Sequence, residues 1–320
     1  MNRLHIIMYH YVREIEGSAY PQIKGLEYKL FLEQLDYFAK HFTFVTAEEV
    51  VAAVKQEIVL PKEAVWLTFD DGYKDHYRYV YPELKKRGIQ GSFFMPAKVL
   101  NENTVLDVNK IHFILATREI KGLVTEIFEM LTKVRKQGAH LPSNEILYQN
   151  LAVANRWDNK DTIFVKRLFQ NALPEELRNQ MVEELFEHSV NLSEKEFSKE
   201  LYLSKAEALE MKRDGMFFGI HGYDHYWLGK LSKDKAVTDV ERSLKYCTEC
   251  GLVEEKDWIM NYPYGSYSDE TIEICRKLGA RVGLSVSAGV CDLTKENDLA
   301  LPRFDTNDFP PKSRNYLKLS

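Results

Sequence analysis

Ala64-Val-Trp-Leu-Thr-Phe69 runs straight into Asp70-Asp71-Gly72, and that junction decides the fold. The first six residues are apolar, β-branched or aromatic, without polar alternation. Such a run suits a strand covered on both faces, as in a parallel sheet or barrel. Two carboxylates end it, and Gly72 can take the positive φ of a tight turn. Acids at the C-terminal end of a buried strand stand where (β/α) folds build active sites. The same residues also suit an Asp-Asp-Gly turn that only closes the strand. The turn by itself leaves both readings open.

Outward from this stretch the chain alternates. Leu4 to Met8 predicts a buried strand ending at Tyr9-His10-Tyr11. From Leu30 to Phe42 apolar residues recur at helical spacing, and Thr46-Ala-Glu-Glu49 is a capping box opening the next helix. After the central strand, a helix from Tyr77 to Arg87 stops at Gly88, and Ile89 to Met95 is another strand. This β-α-β-α-β order predicts an α/β sheet or barrel. Residues 101–200 are helical in period throughout and lie between two strands of the pattern, so they read as a helical insertion. The alternation resumes with strands at Met216 to Ile220, Trp258 to Tyr262 and Arg281 to Val286, and with helices from Asp234 to Cys250 and Asp269 to Leu278. Ala300 to Phe304 is a last short strand or loop. The expected division is therefore 1–100 with 201–309 for the α/β part, 101–200 for the insertion and 310–320 for a peripheral tail.

Composition narrows the classes of function. The 320 residues are 45% hydrophobic and 28% charged, with a net charge of -5, as in soluble globular proteins. The charge gives no basis for binding nucleic acid or an anionic membrane. The apolar part of the N-terminus is too short for a signal peptide, and no run is long enough to span a bilayer. These features predict a cytoplasmic location. Cys247 and Cys250 form a C-x-x-C late in a helical pattern, with Cys275 and Cys291 isolated, which reads as reduced cysteines in a reducing compartment.

Two further strand ends carry chemistry. Met216 to Ile220 runs into His221-Gly-Tyr-Asp-His225, and histidines at i and i+4 can chelate one metal from one side. Two histidines and one aspartate leave coordination positions open for water and substrate. Met260-Asn-Tyr-Pro-Tyr-Gly265 follows the next strand, and its Pro-Gly turn could present the Tyr264 N–H to an oxyanion or be a turn only.

In this order, Thr-Phe-Asp70-Asp71-Gly72, His221-x-x-x-His225 and Tyr-Pro-Tyr264-Gly resemble the polysaccharide deacetylase family (carbohydrate esterase family four, the NodB-homology domain). The resemblance covers roughly residues 4–100 and 215–305. It implies a distorted (β/α)7-type barrel, one divalent metal ion, commonly zinc, and removal of N-acyl groups from amino sugars. It assigns Asp71, His221 and His225 to the metal and Asp70 to the general base. The division is physically coherent, since two adjacent carboxylates are not both freely ionised unless a cation lies on one. The Tyr264 N–H would stabilise the acyl oxygen, and Asn261 and Tyr262 are candidates for substrate contact.

The chain departs from the family pattern in two places. Asn261 stands where most members have an Arg that orients the base, and Arg303 is the proposed substitute. The usual C-terminal motif with the catalytic acid is not evident after residue 305. Met8-Tyr9-His10 looks like the arrangement of the branch that deacetylates biofilm poly-N-acetylglucosamine, which makes His10 the candidate acid. The expected activity is thus metal-dependent N-deacetylation of an amino sugar in a cell-surface glycan or its cytoplasmic precursor. The partner would be an N-acetylated sugar or oligosaccharide, lipid-linked at the inner membrane face in one version. The rivals are a deformylase, an amidohydrolase on a non-sugar amide, and a catalytically silent glycan-binding protein.

Overall fold

The structure, a computed structural model, describes residues 3–154 and 158–319. Residues 155–157 of the expected insertion and Ser320 of the tail lie outside the described residues. The central strand is Ala64–Phe69, and all six of its residues are buried. It is covered on both edges as well, running parallel to Arg3–Tyr9 on one side and to Ser92–Met95 on the other. Phe217–Ile220, Trp258–Asn261 and Ala280–Leu284 continue the parallel sheet in that order. The sheet curls back on itself. Leu301 bridges Leu284 of the last of these strands, and Phe304–Asp305 pairs in parallel with the first strand, Phe304 opposite Ile7. Residues 301–305 thus stand between the two edges, in the place of a seventh parallel member of a distorted barrel. Cys291–Asp292 adds a short antiparallel edge beside Arg3–Leu4.

The pleat sorts the strand residues into two buried clusters. Leu4, Ile6, Ala64, Trp66, Phe94, Ile259, Val282, Leu284 and Leu301 fill one, inside the curl. The alternate residues, including Ile7, Val65, Leu67, Phe69, Phe93 and Phe218, pack into the other with the helices. Successive side chains on a strand point to opposite faces. Thr68 and Asp70 therefore follow Trp66 on the inner side, and the first carboxylate is delivered into the mouth of the curl. Trp66 Nε1 donates to Ser92 Oγ (2.8 Å), which satisfies the one polar group of that buried indole.

The helices form where capping and periodicity place them. Tyr28–His41 packs on the outer cluster, whereas Ala47–Val54, opened by a Thr46–Glu49 capping box, buries Ala47, Val50 and Ala53 in the inner one. Tyr81–Arg87 ends on Gly88 at φ 67°. All four cysteines are free and buried. Burial pushes the Cys247 thiol up to about 12, the state of an inert structural thiol.

Contacts divide the chain into two compact units: residues 1–14, 25–104 and 198–320, and residues 15–24 with 105–197. Over residues 105–197 the described part of the second unit holds helices joined by short connections, with no strand among the described residues. It also recruits a loop from far upstream. Tyr20 packs edge-on against Phe113 (4.8 Å between ring centroids) and Phe197 (6.0 Å). Inside this unit Lys110 is buried and ion-paired to Glu183 and Glu194. The C-terminal segment is less peripheral than its polar composition suggests. Tyr316 stacks on Phe309 (4.3 Å, 11°) and packs near Phe42 and Tyr37, which holds the segment on the Tyr28–His41 helix.

Candidate active site

Asp70 and Arg303 are the most buried ion pair at the open end of the curl, 2% and 1% exposed. The guanidinium meets the carboxylate as a fork, Nη1 to Oδ1 and Nη2 to Oδ2, each at 2.8 Å. Arg303 is itself fixed, Nε donating to the Ser285 carbonyl (2.8 Å) and Nη1 also reaching Thr68 Oγ1 (3.2 Å). The Asp70 N–H donates to the Tyr9 carbonyl (2.9 Å), so backbone and side chain are both held. Burial works to raise the pKa of Asp70. The Arg303 charge, with help from His10, outweighs it and holds the carboxyl at about 2. A planar bidentate pair of this kind fixes the plane of the carboxylate as well as its charge.

Asp71 turns away from its neighbour because its backbone adopts φ 68°. Tyr73 donates to its Oδ2 (2.5 Å), and Tyr73 is backed by the stacked ring of Tyr11 (4.0 Å). This leaves Oδ1 facing His221 Nε2 and His225 Nε2, both at 3.3 Å. His221 Nδ1 lies 2.7 Å from the Asn261 carbonyl, and a carbonyl only accepts. The proton of a neutral His221 therefore sits on Nδ1, and the Nε2 lone pair points at a carboxylate oxygen. His225 is likewise buried, and burial lowers its pKa despite the nearby carboxylate. Three buried ligand atoms converge, within 4.8 Å of one another, and Asp71 Oδ1 has no hydrogen-bond partner among the described residues. The donor set fits a divalent cation, with the carbonyl contact of His221 serving as the outer support such ligands need.

His10 lies at the end of the first strand, its Nε2 3.8 Å from Asp70 Oδ2 and its side chain 42% exposed. It is neither buried like Asp70 nor remote from it. Its backbone is anchored from behind, where His76 Nε2 meets the His10 carbonyl at 2.9 Å. His76 is fully buried, and burial drives its pKa from 6.5 down to about 4. The folded value lies below the unfolded one, so the unfolded chain binds the proton first. This contribution to stability is complete above pH 6.5 and is lost as pH falls towards 4. At pH 4.5 the loss amounts to about 2.5 kcal/mol. Replacing His76 with Gln keeps a donor for the His10 carbonyl but removes the titration. The drop in urea midpoint between pH 7.5 and 4.5 should then shrink; an unchanged drop would refute the assignment.

Tyr264 sits at φ 57° inside the Pro263–Gly265 turn. Its ring stacks on Trp227 (4.6 Å, 11°) and leans on His225 (4.7 Å), which places the side chain against the second histidine. The two expected substrate contacts are placed otherwise. Tyr262 is fully buried in the outer cluster, against Tyr267 (5.2 Å), because it follows inward-facing Asn261 by one residue. Asn261 is 0% exposed. Its side-chain amide has no hydrogen bond among the described residues, and it is its carbonyl that serves the site, through His221. Residue-by-residue reading missed Tyr73, Thr68 and His76. Tyr73 alone carries a local signal, two residues beyond the second carboxylate.

Comparison with known proteins shows what the chain is similar to. The family model for polysaccharide deacetylase matches residues 58–283. The poly-beta-1,6-N-acetyl-D-glucosamine N-deacetylase of Staphylococcus aureus (strain MRSA252) is 24% identical over 217 residues, 62% of this chain and 73% of that protein. Among solved structures, IcaB from Ammonifex degensii superposes with a TM-score of 0.58 at 20% identity, covering 99% of this chain and 96% of the other. Deacetylase PplD of Streptococcus pyogenes, in complex with acetate, gives 0.57 at 19% identity, with the same 99% and 96% coverage. The two structures establish the curled α/β fold. The family match spans most of the barrel and includes both aspartates and both histidines, and the chain therefore belongs to the polysaccharide deacetylase family of hydrolases.

Proposed function

We propose that the protein is a metal-dependent N-deacetylase of N-acetylglucosamine-containing glycans. The observation that carries this reading is the convergence of Asp71, His221 and His225 on one buried point beside the Asp70–Arg303 pair. Asp71, His221 and His225 hold the cation, for which zinc is the choice that two imidazoles and one carboxylate favour. When bound, the cation supplies Lewis acidity, making water a stronger acid and the acyl oxygen a stronger acceptor. That chemistry suits Asp70. A carboxylate held at about 2 is always ionised but is a weak base, matched to an acidified water rather than a free one.

Within this reading Asp70 takes the proton as water adds to the amide carbon. Arg303 keeps the carboxylate in plane and charged. The Tyr264 N–H donates to the acyl oxygen as negative charge develops there. His10, at the half-exposed rim, delivers a proton to the nitrogen as the C–N bond breaks, giving acetate and a free amine. The sugar assignment follows the named activity of the staphylococcal relative.

The test is acetate and free-amine release from β-1,6-linked N-acetylglucosamine oligomers, before and after chelation and again after zinc is restored. Release that vanishes with the metal and returns with zinc supports the proposal. Undiminished release after complete metal removal refutes the metal-dependent mechanism. Formate release from N-formyl oligomers, with none of acetate, would move the activity to a deformylase.

A further inference from the structure

The stretch between the two histidines has its backbone groups tied down from two directions. Asp239, 4% exposed on the helix Lys233–Glu249, accepts from two successive N–H groups, Tyr223 to Oδ1 and Asp224 to Oδ2, both at 2.9 Å. One turn on, buried Ser243 donates its hydroxyl to the Gly222 carbonyl (2.9 Å). From the other side, the N–H groups of Ala97 and Lys98 donate to the carbonyls of Gly222 (3.1 Å) and Tyr223 (3.2 Å). The Lys98 ammonium also pairs with the Asp224 carboxylate (2.7 Å).

The clamp is close-fitting and holds a strained backbone. Gly222 has φ 69°, and a Cβ there would lie 2.9 Å from Asp239 Oδ1, so no larger residue fits without moving the carboxylate. His225 adopts φ 58°, a conformation a histidine keeps only where its surroundings impose it. That backbone turn is what brings His225 Nε2 beside His221 Nε2 at Asp71. A loop free to relax the strain would separate the two nitrogens.

From this we infer that Asp239, assisted by Ser243, is a positioning residue for the metal-ligand pair. It presets the His221–His225 spacing from outside the site by holding the intervening backbone. The inference rests on the metal reading of Asp71, His221 and His225. It adds a residue about which the motif itself says nothing, because Asp239 lies in the following helix and touches neither histidine.

Zinc affinity of the full-length protein, measured by competition with a chromogenic chelator, tests it. In Asp239→Asn one oxygen becomes an NH2 facing a backbone N–H. The zinc Kd should rise about 10- to 100-fold, the usual cost of losing an outer support. Ser243→Ala should give a smaller rise in the same direction. Val240→Ala is the control, since Val240 is fully buried on the same helix but holds no loop backbone. It should lower the thermal midpoint and leave the zinc Kd within about 2-fold. A wild-type Kd in Asp239→Asn overturns the inference, as does an equal rise in Val240→Ala, which would make the effect one of general stability. Wild-type protein without measurable zinc affinity overturns the metal reading itself, and this inference with it.

Discussion

Asp70→Asn is expected to lower kcat by about 100- to 10,000-fold, the range over which a positioned general base acts. The replacement keeps the shape of the side chain but removes its basicity and charge, and turns one acceptor of the Arg303 fork into an NH2. Asp71, His221 and His225 are untouched, so metal content should match the wild type when protein and zinc are titrated together. The two readouts separate the rival readings. A silent glycan-binding protein has no turnover to lose, and its glycan affinity would be insensitive to the change. A rate within a few-fold of wild type, at equal metal content, would refute Asp70 as the base. Loss of metal along with activity would mean that the two carboxylates share the cation, a division the outward turn of Asp71 argues against.

Arg303→Ala should produce the largest loss of stability among single replacements at the site, about 3–5 kcal/mol by urea denaturation. The cause is less the lost attraction than what remains. Asp70 is 2% exposed, and without the guanidinium its charge stays buried with no cation bonded to it. Adding Asp70→Asn to Arg303→Ala removes that charge, so the double variant should be less destabilised than the sum of the two singles. Additive losses would show that the fork contributes no coupling, and the orienting role of Arg303 would fall with it. Lys in place of Arg keeps the charge but not the fork. It should recover part of the stability and little of the rate.

Most of the barrel and the core of the site could be read from local pattern, for a physical reason. A strand buried on both faces must be apolar throughout, so Ala64 to Phe69 stands out, and the first polar residues after it lie at the strand's C-terminal end. The same holds for His221 after Ile220. What escaped reading depends on neighbours distant in sequence. The Tyr20 loop joins the helical unit through Phe113 and Phe197, and no periodicity in a loop announces that. The polar tail hides the stacking of Tyr316 on Phe309. Tyr262 was open to correct reading: with Asn261 inward, the alternation of the strand puts Tyr262 outward. Arg303 was found only because the absence of Arg at position 261 demanded a replacement.

The segment that completes the barrel also carries Arg303, and this joins the chemistry to the order of synthesis. Asp70 and Arg303 are 233 residues apart. A chain emerging from the ribosome presents both aspartates and both histidines long before the guanidinium that neutralises one of them. Until residues 301–305 slot between the first strand and the last, Asp70 lacks the guanidinium that offsets its burial. Closing the curl and neutralising the buried carboxylate are thus one event, carried by the same short segment.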